Sequence, residues 1–230
     1  MTTRSRGVFC CSLVAAALLA GPAALPAQAA DSSYSIVALT APRPENALRS
    51  GIENARADEQ DAVRGLDRLK DARDRIDARL KVQKADIDAI QSRASLAKKE
   101  GRDADRADLD LQRKQAELDR KVLEEIKSLY DDQIAELNAK REWARARGKA
   151  LDTELELTRR RQERADRATA DSTALGRLDT GIQQAEEKML DARKDEASKQ
   201  AEWALHYRDT VGQQITVYRA QQAARAGARR

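Results

Sequence analysis

The chain has 230 residues, of which 36% are charged and 3% aromatic, with one histidine and two cysteines. So few aromatics exclude a rounded core of ordinary type and favour alanine and leucine seams between long helices. A single histidine, His206, leaves no histidine pair for a metal and no second one to support a relay.

Residues 1–30 read as a secretory signal. Arg4 and Arg6 form a charged start, Val8 to Ala20 is an uncharged apolar run, and Ala27-Gln28-Ala29 supplies a small-x-small cleavage pattern. Cleavage is expected after Ala29. The apolar run falls short of the roughly 20 residues that span a membrane, and no paired arginines mark a twin-arginine route. The expected destination is a bacterial periplasm by the general secretory pathway, with no transmembrane span in the mature chain. Cys10 and Cys11 leave with the signal, so the mature chain has no thiol chemistry in an oxidising compartment. Its formal charge falls from +4 to +2 as Arg4 and Arg6 go.

Residues 31–43 read as an extended lead-in, with strand-like composition from Tyr34 to Leu39 but no second strand to pair with it. Pro44 suits a helix start, where a missing N–H costs nothing. From Leu48 an alternation of three and four begins: Ile52, Ala55, Glu59, Ala62, Leu66, Leu69, Arg73, Ile76, Leu80, Gln83, Ile87, Ile90, Ala94 and Ala97. Only Glu59, Arg73 and Gln83 are not apolar. A seven-residue repeat kept this long holds one seam toward a partner helix, as in a coiled coil. Helix one is expected over 44–99, about 80 Å long, with the first turn around Gly101.

Helix two is expected over 108–169, its apolar positions being Leu111, Leu118, Val122, Ile126, Leu129 or Tyr130, Ile134, Leu137, Ala144, Leu151 and Leu155. A second turn near Ala170–Thr173, with Asp171, Ser172 or Thr173 as cap, opens helix three over 174–220. Its seam is Leu175, Leu178, Ile182, Ala185, Met189 and Ala192. Residues 223–230 read as a disordered tail. The expected fold is all-α without a sheet, residues 44–222 forming a long antiparallel coiled-coil, three-helix rod that runs up, down and up. One unbroken helix over 108–220 that dimerises is the alternative. In the first hairpin the register expected sets Leu69 by Leu137, Ile76 by Tyr130, Leu80 by Ile126 and Ile90 by Leu118. It also sets Glu59 near Arg147, and Arg73 near Asp131 or Asp132.

Candidate chemistry is sparse. Carboxylates alternate with Arg and Lys along helix faces, which makes surface ion pairs rather than acid–base machinery. Asp103, Asp105, Asp108 and Asp110 lack the glycine and closing glutamate of a calcium loop. No catalytic residue, metal ligand or cofactor site is expected. Charge distribution is the stronger lead. Residues 100–138 carry twelve acidic against seven basic residues, whereas 139–167 carry six against ten. The basic stretch centres on Arg159, Arg160, Arg161 and Arg164, the candidate partner-binding residues; a merely solvated face is the alternative. Trp143 and Trp203 lie at matched distances from the second turn and are expected to form a packing layer near Ala62.

The function expected is that of an exported, non-enzymatic coiled-coil scaffold of the cell envelope. Its rod ends would bind a protein partner or an anionic outer-membrane surface, with no nucleic acid and a possible homo-oligomer. Tyr34-Ser35-Ile36-Val37-Ala38-Leu39 followed by charged helical hairpins is loosely similar to the Skp-type periplasmic chaperones. The chain departs from them in having no C-terminal strands to complete a trimerising body. That resemblance implies the second reading, a periplasmic holdase for outer-membrane proteins.

Overall fold

A computed structural model describes residues 43–167, 169 and 172–228. The signal segment with Cys10, Cys11 and its cleavage position Ala29, the strand-like Tyr34–Leu39, and positions 170, 171, 229 and 230 lie outside the described residues. The described residues form three helices and no strand: α1 (Glu45–Lys99), α2 (Asp103–Asp166) and α3 (Ser172–Gly227). They make a helical bundle in which α2 packs against both other helices. Among the described residues no Cα of α1 comes within 8 Å of one in α3.

Local chemistry sets the helix ends. Pro44, extended at φ −66° and ψ 147°, precedes α1, and its carbonyl accepts from the N–H groups of Ala47 and Leu48 at 3.0 and 3.2 Å. At the other end Gly101 adopts φ +69°, a left-handed conformation open to glycine. There the Gly101 N–H donates to Lys98 O and the Arg102 N–H to Ala97 O, at 3.3 and 2.9 Å. This pair of bonds is the Schellman stop, which satisfies carbonyls the helix leaves orphaned. The turn closes within Glu100–Arg102, so α2 starts at Asp103 and not near Asp108. Arg102 clasps both Glu100 and Asp105 across it, and two aspartates in the first turn suit the positive helix end.

The second turn also separates two helices, so a single helix over 108–220 is not what forms. α2 stops at Asp166, short of 169, and α3 starts at Ser172, ahead of 174. The tail expected from 223 is helical as far as Gly227. A Cβ at Gly227 would lie 2.6 Å from Leu118 Cδ1, so packing on α2 keeps the last turns of α3 in place beyond 220.

Every buried residue of α1 belongs to the three-four seam: Leu48, Ile52, Ala55, Ala62, Leu66, Ile76, Ile87 and Ala97. Leu48 and Ile52 cluster with Leu151 and Leu155 of α2. Further along, Ile76 clusters with Ile126, Leu129 and, from α3, Val217, with Leu80, Val122 and Tyr130 packed around them. Burying one such Leu or Ile side chain contributes roughly 1.5–3 kcal/mol. The three polar seam positions all reach α2. Glu59 pairs with Arg145, Arg73 with Asp131, and the Gln83 amide donates to the Ala116 carbonyl at 3.1 Å. Arg73 therefore meets one of its expected partners, whereas Glu59 meets Arg145 and leaves Arg147 to Asp58 at 3.5 Å. The difference is the earlier start of α2, which moves the turn and slides the pairing slightly.

α2 departs most from expectation. Leu111 is 59% exposed, and the small residues Ala139, Ala146 and Ala150, with Leu157, are buried instead. A helix packed on two sides needs two stripes, and alanines serve where neighbours approach closely. At Gly65 of α1 the approach is closer still: a Cβ there would lie 2.7 Å from Leu137 Cδ1.

Candidate interaction surface

The basic stretch lies where α1 begins, α2 ends and α3 begins, and its four arginines are all engaged. Arg159 bonds Glu45 of α1 at 2.8 Å, and Arg161 bonds Glu186 of α3 at 2.7 Å. Arg164 pairs with Asp179 of α3, and Arg160 pairs with Glu156 of its own helix while donating to the Gly181 carbonyl at 3.4 Å. The guanidinium of Arg164 holds the Asp179 carboxyl below its usual range, and Arg159, helped by Arg49, does the same to Glu45. These arginines therefore tie the three helices together at this end. Each side chain remains 41–53% exposed, so its charge still faces solvent.

Beneath them sits a charged junction that the sequence reading did not find. Arg43, just ahead of α1, pairs with Glu154 of α2; Arg193 of α3 pairs with the same carboxylate and with Glu196, the latter at 2.7 Å. Glu196 is buried. Burial pushes its carboxyl above the usual range and the Glu154 charge adds to that, against the pull of Arg147 and Arg43. Its only sequence signal is seven-residue spacing: Glu196 follows the α3 seam where alanines precede it, a charge where an apolar residue is the default.

Trp143 of α2 and Trp203 of α3 do reach one level. Their rings stack with centroids 4.9 Å apart and planes 5° from parallel. Arg147 covers Trp143 at 5.6 Å, and Tyr207 tilts against Trp203 at 6.4 Å. Both indole N–H groups are shielded from solvent and without a hydrogen-bond partner. Such a donor costs stability, which the ring contacts and the Arg147 cation over Trp143 offset. Lower on the same interface, burial raises the Asp132 carboxyl, with Asp209 and Asp131 adding repulsion and His206 opposing it.

The acidic end is also internally paired. Arg102 bonds Glu100 and Asp105, and Arg106 reaches Asp110 at 3.9 Å. Among the described residues no group of three or more His, Cys, Asp or Glu is arranged to hold a metal ion, and no helix is long and apolar enough to cross a membrane. One open groove of about 380 Å³ runs between α1 and α2, lined by Ile52, Glu59, Arg145, Lys149 and Glu156 among others. Of the ion pairs already described, Glu59–Arg145 lies along it. Comparison with protein-family models, curated proteins and solved structures finds no match.

Proposed function

We propose that the protein is an exported, non-enzymatic scaffold of the cell envelope, residues 43–228 forming an antiparallel three-helix rod that runs up, down and up. One observation carries this reading: the three polar seam positions of α1 and the four arginines of the basic end are spent on holding helices to one another. Pairings support the antiparallel course, since partners fall along α2 from Arg159 to Asp131 to Lys127 as α1 rises from Glu45 to Arg73 to Asp77. α3 rises against α2 in the same way, from Arg161–Glu186 through Trp143–Trp203 to Glu125–Gln213. A helix of 55 residues is about 82 Å long, a length suited to spacing two components apart.

Partners meet the ends of this rod in a periplasm. The half-exposed cations of Arg159, Arg160, Arg161 and Arg164 suit an acidic protein partner or the phosphates of an outer membrane. In-cell photo-crosslinking from Arg161 and from Asp108 tests this. Envelope proteins or lipid trapped from the two ends support a scaffold, and capture of cytoplasmic proteins or nothing from either end overturns it.

A holdase for outer-membrane proteins is the second reading, because α3 exposes Leu205, Val211, Ile215 and Tyr218. Light scattering of an unfolding barrel protein separates the two. Suppression that survives reversal of the four arginines but is lost on Val211→Glu favours the holdase.

A further inference from the structure

α3 has a second apolar row that α2 does not cover. Its buried row is Ala185, Ala192, Glu196, Thr210, Val217 and Ala224. On another face, steps of four and three lead from Leu190 through Lys194, Ala197 and Ala201 to Ala204, then through Arg208 to Val211, Ile215 and Tyr218. The alternation does not slip once, and every one of these positions is exposed. Leu190 is 57% exposed, Ile215 51% and Tyr218 61%. The same alternation along α1 is a buried seam; here it spans about 42 Å and, among the described residues, no helix lies against it. Leu205 and Tyr207 widen it on either side, and an apolar patch of this order on a charged protein marks an interaction site.

Gly212 points the same way. Glycine inside a helix costs about 1 kcal/mol relative to alanine. At Gly51 and Gly65 that cost accompanies close approach of a neighbour, since an added Cβ would meet Leu151 at 3.1 Å and Leu137 at 2.7 Å. Gly212 flanks the exposed row and has nothing within 4 Å of an added Cβ. The glycine of a close approach is present, and among the described residues no helix makes that approach.

We infer that this face binds a second copy of the same chain, α3 against α3 in opposite directions. With seam positions of one kind facing those of the other, Leu190 meets Ile215, Lys194 meets Val211, Ala197 meets Arg208 and Ala201 meets Ala204, each contact occurring twice by symmetry. Large faces large at the ends, small faces small near the middle, and each arginine crosses an alanine. On the flank Asp191 meets Arg219 of the other copy, and neither is ion-paired within the described residues. A parallel pair would instead set Lys194 on Lys194 and Arg208 on Arg208, like charges within the seam. Self-complementarity of size along the seam and of charge at the Asp191–Arg219 flank thus selects the second copy and its direction, with Lys194 and the other copy's Arg208 set in adjacent layers rather than face to face. The inference does not depend on the scaffold reading or on the basic end.

Sedimentation equilibrium of the full chain, with reductant so that Cys10 and Cys11 stay apart, tests it. The expected result is a reversible dimer that Val211→Glu removes with helicity unchanged by circular dichroism. Asp191→Arg should weaken the dimer about tenfold, since two exposed pairs turn repulsive at once. Combining Asp191→Arg with Arg219→Asp should return affinity to near that of the natural chain. A monomer at about 100 µM, a dimer indifferent to Val211→Glu, or a double variant as weak as the single one overturns the inference. So does a monomer that suppresses aggregation of an unfolded barrel protein through Val211, which would give the face to clients.

Discussion

The two interfaces of α2 are built from different materials. Against α1 it meets a seam of leucine, isoleucine and alanine with polar positions only where α2 offers a partner. Against α3 it meets mostly small residues, one stacked tryptophan pair, a buried threonine and a buried glutamate. The first interface gains from apolar area spread evenly along its length. The second buries small residues from Ala185 to Ala224, with the tryptophan stack and the Arg193 junction as its bulkiest and most charged contacts. α3 thus leans on two marked contacts where α1 rests on an even seam, and among the described residues no helix covers its outer apolar face.

One deletion in each interface sharpens that contrast. Leu48→Ala empties a fully buried site in the cluster with Ile52, Leu151 and Leu155, and should cost about 2–5 kcal/mol. Trp143→Ala removes half the stack. Because both tryptophans are only partly buried, about 2–4 kcal/mol is expected. Chemical denaturation measures both. If α3 is pinned at points, hydrogen exchange in Trp143→Ala should rise along α3 well before it rises in α1. Uniform loss of protection across all three helices would mean that the two interfaces are one cooperative unit.

Legibility follows the same division. On α1 one helix faces one neighbour, so one stripe suffices, and a three-four count over Leu48–Ala97 finds every buried residue. On α2 two stripes overlap, and Ala139, Ala146, Ala150 and Leu157 escape a search for one seam because alanine carries little signal. The matched level of Trp143 and Trp203 was readable because bulky residues are rare here and the two lie at equal distances from the second turn. The partners of the four arginines were not readable. Which of many carboxylates each meets depends on how three helices rotate about their axes, and runs such as Arg159–Arg161 look alike whether free or paired. The Arg43–Glu154–Arg193–Glu196 junction was hidden for the same reason, since it gathers one or two residues from each of three distant segments.

Glycine substitutions probe the line of contact more gently. Gly65→Ala inserts a Cβ against Leu137, and crowding of about 1–3 kcal/mol opposes a helix-propensity gain of about 1 kcal/mol. Net destabilisation is expected, relieved by Leu137→Val. Gly212→Ala meets open space and should stabilise α3 by up to about 1 kcal/mol in the monomer. Equal effects from the two would remove the distinction between a helix face pressed on its neighbour and one that is free.

The smallest effect expected is the pH dependence that Glu196 gives the α3 interface. Glu196 is buried with its carboxyl pushed above the usual range, so between the unfolded and folded titrations the folded chain binds more protons. The stability contributed by this group is complete below its unfolded titration and is lost as pH rises through the folded one. Glu45, Asp77, Asp179 and Glu202 are shifted down by their cations and act in the opposite sense, their contribution being present above the ordinary carboxylate range and lost as pH falls. Glu196→Gln removes one titration and leaves the others. The melting temperature of the natural chain minus that of Glu196→Gln should therefore increase as pH is lowered from 7 toward 5. It should level off below the ordinary carboxylate range, where Glu196 is protonated in both states. A difference that shrinks on acidification would mean that Arg193, Arg147 and Arg43 together outweigh burial at Glu196. The junction would then be an ion pair that stabilises near neutral pH rather than a buried acid held in place by the helices around it.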